Sequence, residues 1–218
     1  MFRDRKEAGK RLSKKLLLFK SENPMVVGLP RGGVVVARSV ADALEVPLEI
    51  IIVRKIGAPR NPEYAIGAIV EGGYSLFDEE AIERLGITDY EVQQIVEEEQ
   101  KELVRRVKTY RGEESTPRSL FGKTVILVDD GLATGLTAEV AVGAVLDRGA
   151  QKVLFAAPVC AQDSIENLSE KCEIICLESP EGLVAIGNHY QDFSQVTDEE
   201  VIKLLENTTR EGGRLLKW

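Results

Sequence analysis

Two adjacent carboxylates, Asp129 and Asp130, end an apolar run in the stretch VILVDDGLATGLT (125–137), and a loop of small residues follows them. A strand that turns into a helix through Ala133, Thr134, Gly135, Leu136 and Thr137 aims unpaired backbone N–H groups at whatever occupies the turn. The helix dipole adds partial positive charge there. Thr134 and Thr137 supply hydroxyl donors, and Gly135 lets a ligand approach the backbone closely. A phosphate monoester fits such a loop. The carboxylates then reach vicinal hydroxyls of a sugar whose phosphate sits in the loop, so one molecule with an anionic end and a hydroxylated end reconciles the opposed charges. An aspartate pair alone reads as capping or strand-end solvation; the full order of strand, acid pair, loop and helix favours a site. Neither the nucleotide P-loop pattern nor the dinucleotide glycine fingerprint occurs.

Basic residues stand where they complement this loop. Arg31, with Gly32 and Gly33, follows the apolar run MVVGL (25–29), and Arg54 and Lys55 close LEIIIVRK (48–55). All of them, like the acid pair, fall at the C-termini of predicted strands, where an open parallel sheet binds its ligands. Arg31 by itself reads as a surface ion-pair residue, and its place in PRGG lifts it to a site residue. For Arg54 and Lys55 the two readings balance.

The elements that must position these residues follow from periodicity. Residues 4–19 read as an amphipathic helix with Ala8, Leu12, Leu16 and Phe19 on one side. Strands are predicted over 25–29, 48–54, 122–130, 152–159 and 172–179, and helices over 34–44, 134–150, 161–171 and 197–210, the last opened by a Thr197/Glu200 capping box. Strands alternating with helices imply an α/β fold with a parallel sheet covered on both faces. The middle is less regular: GAPRNPEYAIGAIVEGG (57–73) suggests a loop or flap with one or two strands. Residues 88–110 form a long helix striped by Val92, Val96, Leu103, Val107 and Tyr110, with Glu97–Lys101 and Glu102–Arg106 pairs and a solvated acidic run at 97–99. In the flap Glu63 reads as either a site residue or plain loop, and Tyr64 as packing. His189 reads as either a lining residue of a base pocket or, more often for a lone histidine near a loop, a residue without catalytic role, and Trp218 as a frayed or contact residue.

At 218 residues the chain suffices for one domain spanning 1–218, with 57–121 as an insertion. Its net charge of −8 argues against a general nucleic-acid or membrane-surface binder. No signal-peptide core or membrane-length apolar run occurs, and Cys160, Cys172 and Cys176 make an odd number without a disulfide framework. Buried thiols and a cytoplasmic location are expected; with one histidine in the chain, a zinc site is poorly supported.

VILVDDGLATGLT resembles the PRPP-binding motif of type I phosphoribosyltransferases over all thirteen positions of the stretch. LPRGG (29–33) resembles that family's pyrophosphate loop, and VRK (53–55) stands where relatives carry basic residues near pyrophosphate. The start FRDRKEAGKRL and the later HYQDFSQVTDEEV are similar to a bacterial group of stand-alone predicted phosphoribosyltransferases. The resemblance implies a type I core, a flexible catalytic flap at 57–121, and a small hood from both chain ends, including about 179–218. It implies that residues 133–137 hold the 5′-phosphate, Asp129 and Asp130 the ribose hydroxyls and, through ligand or water, Mg²⁺, and Arg31, Gly32 and Gly33 the pyrophosphate. Arg54 or Lys55 lies nearby, and the site passes the phosphoribosyl group to a nucleobase or similar small acceptor. A homodimer is the family's habit. Ala133 stands where 6-oxopurine enzymes usually carry an aspartate, which weakens hypoxanthine and guanine as acceptors. The rival reading is a non-catalytic PRPP- or nucleotide-sensing protein on the same fold. A PRPP synthetase is weaker, because no ATP-binding partner motif occurs.

Overall fold

The apolar runs conceal a two-fold alternation that sorts them into two core layers. In β1 (Met25–Gly28) Val26 faces one layer, while Met25 and Val27 face the other. In β6 (Thr124–Val128) Ile126 and Val128 go one way, and Val125 and Leu127 the opposite way. Both faces of such a strand must be covered. In the computed structural model, which describes residues 1–112 and 117–206, β1 and β6 join β2 (Leu48–Ile50), β7 (Lys152–Val159) and β8 (Glu173–Glu178) in a parallel sheet of order β2-β1-β6-β7-β8. Helices α1 (Arg5–Leu16) and α2 (Gly32–Leu44) cover one face, and α5 (Leu136–Asp147) and α6 (Gln162–Ser169) the other. Asp4 caps α1 by accepting the Glu7 N–H at 2.7 Å, and Ala8, Leu12, Leu16 and Phe19 are all buried as their spacing predicts.

The run 48–54 departs from the expected single strand. Only β2 belongs to the parallel sheet; two residues later the chain starts β3 (Val53–Ala58), which pairs antiparallel with β4 (Asn61–Val70), followed by β5 (Ser75–Phe77). The segment rich in glycine and proline is therefore largely regular. Gly67 answers a need for close approach rather than for looseness: a methyl there would meet the Phe77 ring at 2.6 Å. The helix α3 (Glu79–Arg84) follows, then α4 (Asp89–Arg111), opened by a Thr88/Glu91 capping box. Leu103 and Tyr110 of the α4 stripe are buried, with Val92, Val96 and Val107 packed beside them. Glu102 pairs with Arg106 at 2.8 Å as expected, whereas Glu97 accepts from Gln93. A charge network roots this module: Arg111 bridges Glu49, next to the end of β2, and Glu71, after β4, and Arg148 donates to the Glu71 carbonyl.

Helix α7 (Asp198–Glu206) starts with the expected Thr197/Glu200 reciprocal pair; its predicted continuation to 210 lies outside the described residues, as does Trp218. Among the described residues no helix is long and apolar enough to cross a membrane. Cys160 is buried, while Cys172 and Cys176 are half-buried.

Candidate active site

Strands β1 and β6 lie side by side with Gly28 opposite Val128, and Leu29 N–H extends the ladder by donating to Val128 O at 3.0 Å. From β1 the chain moves to β2 on one side; from β6 it moves to β7 and β8 on the other. A crevice opens at such a switch point, outside the carboxyl ends of the two strands. Into it emerge Pro30–Gly33 from β1 and Asp129–Thr137 from β6. An apolar cavity of about 570 Å³ between β4–β5 and α4 lies elsewhere and contains neither segment.

The two segments touch, and glycine permits it. A methyl on Gly33 would stand 2.7 Å from Asp129 Oδ1 and 2.8 Å from Val128 O, and one on Gly32 would overlap the Asp130 carboxylate. Both distances are shorter than van der Waals contact allows, so these positions demand glycine for space rather than for φ. The Pro30–Arg31 peptide between them and β1 is cis.

The loop after the acid pair is tied down from behind. Leu132 N–H donates to Val159 O and Leu132 O accepts from Ala161 N–H, each at 2.8 Å. Ser164 Oγ donates to Ala133 O. Gly135, at φ +84°, turns the chain into α5 in the left-handed region that glycine adopts without strain. No side chain caps α5, so the first-turn N–H groups, which lack intrahelical partners by geometry, stay available to a ligand. Ala133 and Thr134 are exposed, while Gly135, Leu136 and Thr137 are half-buried.

The acid pair sits in a different setting. Asp129 Oδ1 accepts the Asp130 N–H at 2.8 Å, and its removal from water, then the charge of Asp130, push its carboxyl well above the usual carboxylate range. Asp130 is held from three directions. Arg5 Nε donates to Asp130 Oδ2 at 2.6 Å, the Tyr190 hydroxyl donates to the Asp130 carbonyl at 2.7 Å, and Gly32 lies against the carboxylate. Arg5 also donates from Nη1 to the Ser194 carbonyl at 2.8 Å and stacks its guanidinium on Phe193, 3.8 Å from the ring centroid. Tyr190 contacts both Phe193 and Phe2, and Ile186 packs over Gly131. The segment 186–194 and the first residues of the chain thus close one wall of the crevice.

Two basic residues stand away from their expected places, and a third stands as expected but turns its side chain aside. Arg54 and Lys55 lie at the start of β3 in the antiparallel sheet, not at the C-terminus of a core strand. Arg54 donates to Glu99 at 2.6 Å, so Glu99 of the acidic run 97–99 is an ion-pair partner rather than plain solvated surface. A run of apolar residues cannot by itself reveal where one strand leaves the sheet for another. Arg31 does flank the crevice, but its guanidinium turns to Asp198 of α7 at 3.8 Å. Asp198 also accepts from Tyr110 at 2.6 Å; burial, then that bond, push the Tyr110 hydroxyl up to about 12. Tyr64 is exposed rather than packed and accepts from Arg84 at 2.8 Å. Nothing of the Glu63 side chain falls among the described features. His189 faces Glu178 at 3.7 Å, and its carbonyl takes the Phe2 N–H. Sequence reading missed Arg5, Tyr190 and Phe193. Arg5 reaches Asp130 from 125 residues away, and no local pattern marks that meeting.

Residues 3–190 match the model of the phosphoribosyl transferase domain. The chain belongs to that family. Two Mycobacterium tuberculosis proteins, from the CDC 1551 / Oshkosh and H37Rv strains, bear a provisional phosphoribosyl transferase name and are 35% identical over 213 residues. The match takes in 97% of this chain and 48% of theirs, so the chain spans about half the length of these relatives. The crystal structure of the Thermus thermophilus protein TT1426 superposes with a TM-score of 0.78 at 37% identity, covering 95% of this chain and 98% of that one. An Aquifex aeolicus protein, AQ2163, shares the fold alone, with a TM-score of 0.51 at 16% identity over 84% of this chain and 78% of its own. The expected α/β parallel sheet is the fold that the chain shares with the Thermus protein.

Proposed function

We propose that the crevice binds PRPP and transfers its phosphoribosyl group to a small acceptor such as a nucleobase, releasing pyrophosphate. The observation that carries this reading is the pairing of Gly28 with Val128, which brings the PRGG turn against the acid pair at the sheet's switch point. The 5′-phosphate takes the first-turn N–H groups of α5 and the Thr134 and Thr137 hydroxyls. The ribose hydroxyls take Asp129 and Asp130, and the pyrophosphate lies over Arg31, Gly32 and Gly33. Arg54 is tied to Glu99 and sits apart from the core strand ends, so it has no part in this scheme.

Mg²⁺ fits as a companion of the ligand. Among the described residues no three acidic, histidine or cysteine side chains cluster as a ready-made metal cage. Two carboxylates are nevertheless a usual protein share for Mg²⁺, which keeps waters and takes substrate phosphates. Bound with the pyrophosphate, Mg²⁺ would offset the charge of the leaving group. The chain's own part is to hold the ribose and its 5′-phosphate rigidly while C1 gains positive character, beside an acid pair that favours that charge.

Calorimetric titration with PRPP and Mg²⁺, followed by pyrophosphate release against a panel of bases, tests the reading. Magnesium-dependent binding and release with one base support it. Tight binding without turnover supports the sensing alternative, and absence of binding removes both.

A further inference from the structure

We infer that Arg5 is a positioning residue of the phosphoribosyl site, locking Asp130 and the 190–194 turn into one rigid wall for the sugar. The inference rests on the reading of the crevice as a phosphoribosyl site and deepens it.

The geometry is that of a built support. The Arg5 side chain is 11% exposed and that of Asp130 19% exposed, so their 2.6 Å contact is shielded from the solvent that makes surface pairs weak. The same guanidinium spends a second nitrogen on the Ser194 carbonyl and lays its face on Phe193. Planarity is what lets one group bond at its edge and stack through its face together, which a lysine ammonium cannot do. The pyrophosphate turn reaches the same spot, because a methyl on Gly32 would come within 2.7 Å of Arg5 Nε. Arg5 therefore stands where three parts of the site meet: the PRGG turn, the acid pair and the wall carrying Phe193.

The division of oxygens on Asp130 defines the role. Oδ2 is engaged by Arg5, which fixes the carboxylate's rotation and leaves Oδ1 for a ribose hydroxyl. Without Arg5, the Asp130 carboxylate would be free to rotate, and the 190–194 turn would keep only the Tyr190 bond to the Asp130 carbonyl. The cost should appear for ligands that contain the ribose and not for pyrophosphate, which meets the backbone of Gly32 and Gly33.

The experiment compares the wild type, Arg5→Ala and Arg5→Lys by calorimetry with PRPP, ribose 5-phosphate and pyrophosphate, each with Mg²⁺, at matched folded fractions checked by thermal melting. The expected result is a loss of about tenfold or more in affinity for PRPP and ribose 5-phosphate in Arg5→Ala, in line with losing a charge-assisted contact. Arg5→Lys should recover only a small part, pyrophosphate affinity should stay within about twofold of wild type, and added methylguanidinium should restore PRPP binding to Arg5→Ala by refilling the space. Rescue by a free guanidinium separates positioning from a general loss of fold. Unchanged or tighter PRPP binding in Arg5→Ala, or an equal loss for pyrophosphate alone, would overturn the role of Arg5 while leaving the site reading intact. Failure of the wild type to bind PRPP or ribose 5-phosphate would overturn the site reading, and the role of Arg5 with it.

Discussion

The acid pair and the loop that follows it are a few residues apart, yet they are built by different means. Residues 133–137 make a site from backbone: a left-handed glycine, an uncapped helix start and two hydroxyls, braced by Ser164 and by strand-like bonds to 159 and 161. Asp129 and Asp130 form a site only through side chains and close packing from elsewhere, with Gly32 and Gly33 from one turn, Arg5 from α1 and Tyr190 from near the other end. The difference teaches that the proposed phosphate loop takes its donors from its own sequence, whereas the setting of the acid pair depends on distant partners.

Substitutions can break or sharpen that contrast. The largest effect belongs to Gly32→Val, which drives a branched side chain into the Asp130 carboxylate. It should abolish PRPP binding in calorimetry and, as overpacking, cost about 1–3 kcal/mol in chemical denaturation. Asp130→Asn comes next: its PRPP affinity should fall roughly tenfold to a hundredfold, since a hydroxyl partner and the charge opposite Arg5 go together. Thr134→Ala should be milder, about 0.5–1.5 kcal/mol of affinity for any ligand bearing the 5′-phosphate, because the backbone donors remain. If Thr134→Ala matched Asp130→Asn, the loop would not be a backbone site and the contrast would fail.

Asp129→Asn sharpens the comparison through stability. Its carboxyl titrates higher in the folded than in the unfolded chain, so the folded state binds more protons and loses stability as pH rises from the unfolded value through the folded one. The asparagine variant should therefore melt higher than wild type at neutral pH, with the gap closing below the ordinary carboxylate range. A gap that widened on acidification would contradict the burial of that carboxyl. The smallest effect is expected from Arg54→Ala. With its guanidinium paired to Glu99, its loss should leave PRPP affinity within about twofold and remove only a partly exposed ion pair of about 0–1 kcal/mol.

Much of this was legible in the chain itself. The strand–acid–loop–helix order, the parallel sheet and the α1 face are local patterns, and local patterns survive reading one residue at a time. The boundary inside 48–54 was not legible, because the apolar run 50–53 passes unbroken from β2 into β3 and only the strands' partners differ. One or two strands were expected in 57–73, but the full length of β4 was not legible, because Gly67, which looks like a loop residue, instead makes room for Phe77.

By itself the sequence determined which strand ends carry carboxylates and glycines, and which turn presents free N–H groups, since those depend on neighbours within a few positions. Only the tertiary structure decided what the carboxylates face. The meeting of Arg5 with Asp130, the turn of Arg31 toward Asp198 and the withdrawal of Arg54 to Glu99 are set by the packing of helices and sheets over distances that no periodicity encodes.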